Sequence, residues 1–494
     1  MLERALLSFV SHYPEYEGAI GLWDEDAVDP PALIFAETTG APKPVGNAIV
    51  LAVDILNETS DLAQEQALAV LRGESTCCGL IPVPFRTVQE RGFIQSQEVT
   101  VIHYAQRSAG LKLVSIDGVV PSTETFRDGR YPLLTSLELR FTSPAAWWQP
   151  WRRPGAAARS FVEFVAAGTG QKAWYGAEAE ITFLALGDIM LARNVGKKIE
   201  EHGVTYPFDL VHQVLDEHDV VFGNLESPIG TKGTPIPDKL IWFRARPEAA
   251  AALVHGGIDV VGMANNHILD YDSESLLETL EILDELGISH AGAGANISQA
   301  REPALVTVGE VTVALLAYTE FASEHLYWSH EYPRTFLATD DKPGCAPMKL
   351  CLVKEDVKRA RQEADIIMVT YHWGQEYVNY PEPFLAGDLQ DVARRTIDAG
   401  ADGVLGTHPH AIQGIEIYRG KPIAYSLGNF VMDQYEPIST ESMMISFTLD
   451  ASGITSLCVI PVRIAEHRPT LAQGADYAYL MDKIRTISWP LRSR

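Results

Sequence analysis

The chain has 494 residues, 46% of them hydrophobic, and a formal net charge of -26 at pH 7. That length predicts two or three domains with substantial cores. The acidic balance excludes a nucleic-acid or anionic-membrane partner, because phosphate binding needs clustered Lys and Arg. No apolar run approaches the roughly 20 residues of a membrane helix, and the N-terminus shows no basic region followed by an apolar core, so no signal peptide is evident. Five cysteines in so long a chain make no disulfide framework. Cys77 and Cys78 are adjacent and poorly placed to bridge; Cys345 and Cys351 read equally as a pair or as free thiols.

In chain order, the composition shifts around residues 144–180, where a Trp- and Pro-rich stretch leads into GAEAE (176–180), a short linker. This divides the chain into an N-terminal part (1–175), a larger domain (181–468) and a C-terminal tail (469–494). Beyond the linker the pattern becomes regular. ITFLALGD, DVVFGNLES, IDVVGMANNH, VTVALLAYTE, DIIMVTYHWG and ADGVLGTHPH are apolar, β-rich runs that end abruptly in polar residues. Helical patterns lie between several of them. SESLLETLEILDELG predicts a helix capped by Ser273 and closed by Gly287, and EDVKRARQEA and LAGDLQDVARRTIDAG read the same way. Strands of this kind alternating with helices imply an α/β sheet covered on both faces. GIEIYRGKPIAYSLGNF predicts paired strands about an RGKP turn, and MMISFTLDASGITSLCVIPVRI predicts a hairpin turning at Asp450 to Gly453.

In such sheets the loops at the carboxyl ends of the strands form the ligand crevice. Asp188, Glu226, Asn266 with His267, His372, and His408 with His410 all fall at those ends; among the six runs only VTVALLAYTE contributes nothing. Residues two apart on a strand share a face. His408 and His410, stiffened by Pro409, are therefore expected to converge on one object, and a metal ion is favoured over a simple turn. Other histidines read as structural: His212 and His218 as surface residues, His325 and His330 as parts of a packed loop. Arg193 fits an anion clamp or an ordinary ion pair, and Asn429 fits a site-lining residue or a Gly-Asn turn.

The ordered motifs GDIMLAR, NLES, ANNHILD, HWGQEY, GTHPHAIQGIE and YSLGNF resemble the CapA family of bacterial capsule and poly-γ-glutamate synthesis. That family is similar to the calcineurin-like metallophosphoesterases. The resemblance implies a four-layer sandwich of helices and sheets and a centre of two divalent transition metals, Mn, Fe or Zn. It also implies ligand roles for Asp188, Glu226, Asn266, His372, His408 and His410, and a reaction-assisting role for His267. Where many superfamily members carry D-x-H on the first strand, Met190 stands in place of the histidine. A thioether is a poor partner for a hard cation, so one metal has fewer ligands than usual. The N-terminal segments 57–74, 111–133 and 161–174 are similar to a shortened phosphate-type periplasmic solute-binding domain.

Three functions follow as expectations. The first is a phosphoester hydrolase serving envelope-polymer synthesis. The second is a non-catalytic holder of an acidic polymer or of its phosphorylated or lipid-linked precursor. The third is a solute sensor built on the N-terminal part. The first two imply association with the polymer-synthesis machinery of the cell envelope.

Overall fold

The computed structural model describes residues 180–323, 335–385 and 387–492, preceded by eight short strands between Leu33 and Phe141. Four of those strands form one sheet in the order Ile81–Val83, Glu98–His103, Ile49–Asp54, Leu111–Leu113. Most of the solute-binding-like segments, Cys77, Cys78, His325 and His330 lie outside the described residues.

The regular strands divide between two sheets rather than forming one. β1 (Ile181–Ile189), β2 (Val220–Leu225), β3 (Val260–Gly262) and β4 (Ser289–Ala291) are parallel neighbours in the first. The second opens with the antiparallel pair β5 (Ala304–Val308) and β6 (Val311–Thr319). It adds β7 (Ile366–His372) and β8 (Gly403–Thr407) parallel to β6, and ends with β9 (Ile415–Tyr418) and β10 (Lys421–Ala424). The chain then returns to the first sheet. There β11 (Asn429–Val431) runs parallel to the end of β1, β12 (Glu441–Asp450) lies antiparallel to β1, and β13 (Gly453–Ala465) and β14 (Arg468–Leu471) follow. Periodicity could not reveal the split, because a strand buried on both faces reads the same in one sheet or two.

Side-chain alternation sets the layers. On β6, Val313, Leu315 and Ala317 join the core shared with the first sheet. The intervening Ala314, Leu316 and Tyr318 pack on the other face, in a core with Val353, Val357 and Ala360 of α3 (Leu350–Ala360) and Leu389, Ala393 and Ile397 of α4 (Leu389–Asp398). β7 repeats this, with Ile366 and Met368 inward and Ile367, Val369 and Tyr371 outward. Both alternating sets of β1 are buried together with Val195 and Ile199 of α1 (Arg193–His202) and Leu276, Leu280 and Leu283 of α2 (Asp272–Leu286). The result is an α/β sandwich of two stacked sheets with helices packed outside them.

Some local expectations change. Helix α2 begins one residue before Ser273, its N-cap is Tyr271 without a side-chain bond, and Gly287 closes it at φ 71 as expected. Cys345 is buried, Cys351 exposed, and both are free. His218 is not a surface residue, since its ring bonds Val214 O and Ser446 Oγ at 2.7 and 2.8 Å, and His212 stacks on His255. Residues after 468, where the sequence carries no chemical signal, form β14 and α5 (Gly474–Arg492), which buries Leu480, Ile484, Ile487 and Leu491. Among the described residues, no helix is long and apolar enough to cross a membrane.

Two close backbone approaches lie near the strand ends, one within each sheet. A Cβ on Gly187 would stand 2.0 Å from Gly428 O, and one on Gly406 would stand 1.8 Å from Tyr425 O. Because Gly428 O also accepts the Asp188 N–H at 3.1 Å, Gly187→Ala should push β11 away from β1. We expect a loss of about 1–3 kcal/mol, measured as a lower denaturant midpoint at unchanged slope.

Candidate metal centre

The carboxyl ends of β1, β2 and β3 face those of β7 and β8 across the sheet interface. Asp188, Glu226 and Asn266 come from the first sheet, and His372, His408 and His410 from the second; all are buried. Their donor atoms converge. His372 Nε2 lies 2.9 Å from Asn266 Oδ1, 3.1 Å from His408 Nδ1 and 3.5 Å from Glu226 Oε1. His410 Nδ1 lies 3.6 Å from Asp188 Oδ2, and its Nε2 lies 3.9 Å from Glu226 Oε1. Glu226, His408 and His410 form a buried group that could hold a metal ion.

The two histidines of the GTHPHAIQG motif do converge, with ring centroids 5.8 Å apart, but not by strand alternation. β8 ends at Thr407, and His408 and His410 adopt left-handed backbone at φ 93 and 53. Left-handed non-glycine residues cost energy and cluster at functional sites. Here they turn both rings inward where a continued strand would have carried them past the centre.

Three observations fit the site to a metal. Both Glu226 oxygens are buried with no hydrogen-bond donor among the described residues, a costly state for a carboxylate. The donor set mixes carboxylate, amide and imidazole, which suits a transition metal. Partners also hold the outer nitrogens of two rings, as in known metal sites: His372 Nδ1 meets Thr407 Oγ1 at 3.1 Å, and His408 Nε2 faces Glu376 Oε1 at 3.8 Å.

Electrostatics follow from this crowding. Burial, then the like charge of Asp188, pushes the Glu226 carboxyl well above the usual range. Burial and neighbouring imidazoles push His372 and His408 down. Burial also acts to lower His410, but Glu226 and Asp188 outweigh it and hold it at about 10.

His267 stands beside this cluster, on the residue after Asn266. Its Nδ1 bonds Asp270 Oδ2 at 2.8 Å, and its ring stacks on Phe243 at 4.0 Å. Burial and then the Lys239 ammonium lower it to about 4, against the pull of Asp270. Arg193, in left-handed backbone at φ 52, does make an ion pair: its Nε lies 3.3 Å from Asp433 Oδ2 while its guanidinium lies 5.6 Å from the Phe243 ring centroid. Asn429 is fully buried, with Oδ1 2.8 Å from His410 Nδ1.

Sequence reasoning missed several supporting residues. Asn224 Nδ2 donates to Asp188 Oδ1 at 2.7 Å. Buried Lys239 donates to Asn266 O at 2.6 Å and pairs with Asp270. Glu320, just past the strand that offered nothing, accepts the Gly374 and Leu385 N–H groups and so anchors the loop after His372. Asp270 and Glu320 sat within or at the end of quoted motifs; Lys239 lies in an irregular loop with no pattern to flag it.

The molecule is thus a two-sheet α/β protein with a buried carboxylate–imidazole centre at the strand ends. The profile of the family described as "Bacterial capsule synthesis protein PGA_cap" matches residues 182–434, and the chain belongs to that family. It is 31% identical to "Capsule biosynthesis protein CapA" of Bacillus anthracis over 297 residues, 59% of this chain and 69% of that one. It is 33% identical to "PGA biosynthesis protein CapA" of Bacillus subtilis (strain 168) over 287 residues, 58% of this chain and 72% of the relative. A solved Staphylococcus aureus structure, described as a candidate 5'-nucleotidase in complex with alpha-ketoglutarate, aligns at 17% identity and TM-score 0.36, over 62% of this chain and 58% of that one. That likeness is too slight to bear on the chemistry here.

The orphaned Glu226 carboxylate gives a direct expectation. Glu226→Gln should raise the stability of metal-free protein by about 0.5–2 kcal/mol, because a neutral amide does not repel Asp188. With saturating Mn²⁺ the order should reverse, since a ligand of the native state stabilises only the protein that binds it. Thermal unfolding of both proteins, with and without the ion, reads this crossing.

Proposed function

We propose that the chain is a metal-dependent phosphoesterase, or a related hydrolase, serving capsule or poly-γ-glutamate type polymer synthesis. The observation that carries the proposal is Glu226, a fully buried carboxylate with both oxygens unpartnered, between imidazoles of a second sheet. Asn266, His372, His408 and Glu226 would hold one divalent transition metal; Asp188, His410 and the shared Glu226 would hold another. Bound there, Mn, Fe or Zn ions polarise a phosphoryl oxygen and lower the pKa of water.

The chain's own groups do the rest. His267 is the proton-handling residue. Its Nδ1 is occupied by Asp270 Oδ2 at 2.8 Å and Lys239 Nζ at 3.2 Å, so Nε2 is the atom left to meet the reaction. Held neutral, His267 would take at Nε2 the proton released by the attacking water and pass it to the leaving oxygen, rather than starting as a charged acid. The Phe243 ring fixes the imidazole plane. Arg193, aligned by Asp433, would contact an anionic oxygen at the mouth.

A second reading, a holder of an acidic polymer or its precursor without turnover, gains from aromatic exposure at the mouth. Tyr377 is 41% exposed, and its ring lies 6.0 Å from that of His410. A phosphoester panel with Mn, Fe or Zn supplied separates the two readings. Purified protein should contain one to two metal ions per chain, and the His408→Ala, His410→Ala double variant should lose most of them. His267→Ala should keep its metal yet lose activity by about 10²- to 10⁴-fold, while Asn266→Ala should lose both. If no ester is cleaved by metal-loaded protein, the holder reading stands. If His267→Ala strips metal as His408→Ala does, His267 is a ligand instead.

A further inference from the structure

Taking the metal-centre reading as its basis, we infer that Asn429 Oδ1 is itself a metal ligand. It completes the Asp188–His410 half of the centre and replaces the donor that Met190 fails to supply.

The two halves are unequal without it. Around His372 Nε2 stand Asn266 Oδ1, His408 Nδ1 and Glu226 Oε1 at 2.9, 3.1 and 3.5 Å. Atoms that share one ion at bonds of about 2.1 Å lie roughly 3–3.5 Å apart, so that half is already grouped as a coordination set. The Asp188–His410 half has only Asp188, His410 and the shared Glu226. Met190 does not fill the gap. It is fully buried, its Sδ takes the Ala192 N–H at 3.1 Å, and a thioether suits a hard divalent cation poorly.

Asn429 is built to fill it. Strand β11 pairs Asn429 with Asp188 in register, so the two residues stand side by side. Both amide hydrogens of Asn429 are used, Nδ2 donating to Gln434 Oε1 at 2.8 Å and to Ser439 O at 3.0 Å. The amide is thereby turned with its oxygen toward the centre, 2.8 Å from His410 Nδ1, which is itself 3.6 Å from Asp188 Oδ2. Asn429, His410 and Asp188, from three separate elements, thus gather their donor atoms about one point. Glu226 Oε1 lies on the other side of the His410 ring, 3.9 Å from Nε2. His408 faces its neighbours in the other half through Nδ1 as well, so both histidines would ligate by the same nitrogen. The alternative role is narrower: Asn429 could accept an Nδ1–H of His410, leaving Nε2 for the metal. The two roles place the His410 proton on opposite nitrogens.

That proton is the test. In the Zn²⁺-loaded full chain labelled with ¹⁵N-histidine, long-range ¹H–¹⁵N spectra should show His410 protonated at Nε2 and metal-bound at Nδ1. A proton on Nδ1 with Nε2 on the metal would make Asn429 a hydrogen-bond acceptor and overturn the inference. In parallel, Mn²⁺ titration of wild type should show two ions, and Asn429→Leu should weaken one by about 10- to 100-fold while the other keeps its affinity. Two ions bound by Asn429→Leu as in wild type, or one ion indifferent to the substitution, would also overturn it. Wild type that binds no ion would instead sink the metal-centre reading itself. The spectroscopic arm uses unaltered protein, so a variant that misfolds leaves the test intact.

Discussion

A carboxylate buried without a hydrogen-bond donor is the constraint around which this molecule is arranged. Glu226 sits just past the end of β2, in the seam between two sheets, with both oxygens unpartnered and Asp188 adding like charge. A protein core seldom tolerates that state, because an ionised carboxylate taken out of water demands a counter-charge. Glu226 and Asp188 in turn push the His410 imidazole up to about 10. A divalent cation would supply the counter-charge, which is why the strain is placed where imidazoles from the opposite sheet can close over it.

The fold serves this placement. Parallel strands deliver their carboxyl ends to one edge, and stacking two such sheets lets one provide the oxygen donors and the other the nitrogens. Close glycine approaches at Gly187 and Gly406 let neighbouring segments of each sheet pack tightly at the strand ends, and left-handed backbone at His408 and His410 turns the rings inward. Around the donors runs a further set of polar residues, Asn224, Thr407, Glu320 and the Lys239–Asp270 pair, each tied to a donor or to the loop that carries one. A centre supported in this way is held by packing on every side, so its geometry does not depend on one flexible loop.

Much of this was legible in the sequence. The positions of the apolar runs marked strands β1, β2, β3, β6, β7 and β8, and polar residues at their ends drew attention to the donor residues the structure brings together. The hairpin turning at Asp450 to Gly453 was equally plain. What stayed hidden depends on distance in space rather than order in sequence. A fully buried strand carries no mark of the sheet to which it belongs, so periodicity did not show the division into two sheets; the motif resemblance, which implied a four-layer sandwich, did. Alternation predicted the convergence of His408 and His410 for the wrong reason, since left-handed backbone has no pattern outside glycine. Lys239 and Glu320 gain their importance only through residues far along the chain. The side-chain orientation of Asn429 is set by Gln434 and Ser439, through bonds that no motif encodes.

The most direct test of the account is a crystal structure of the chain grown with Mn²⁺, with anomalous scattering recorded to locate the ion. The account predicts an anomalous peak at bonding distance, about 2.0–2.2 Å, from a Glu226 oxygen and from a nitrogen of His372, His408 or His410. A Glu226 side chain satisfied by water or protein donors, with no anomalous peak in the seam between the sheets, would contradict it.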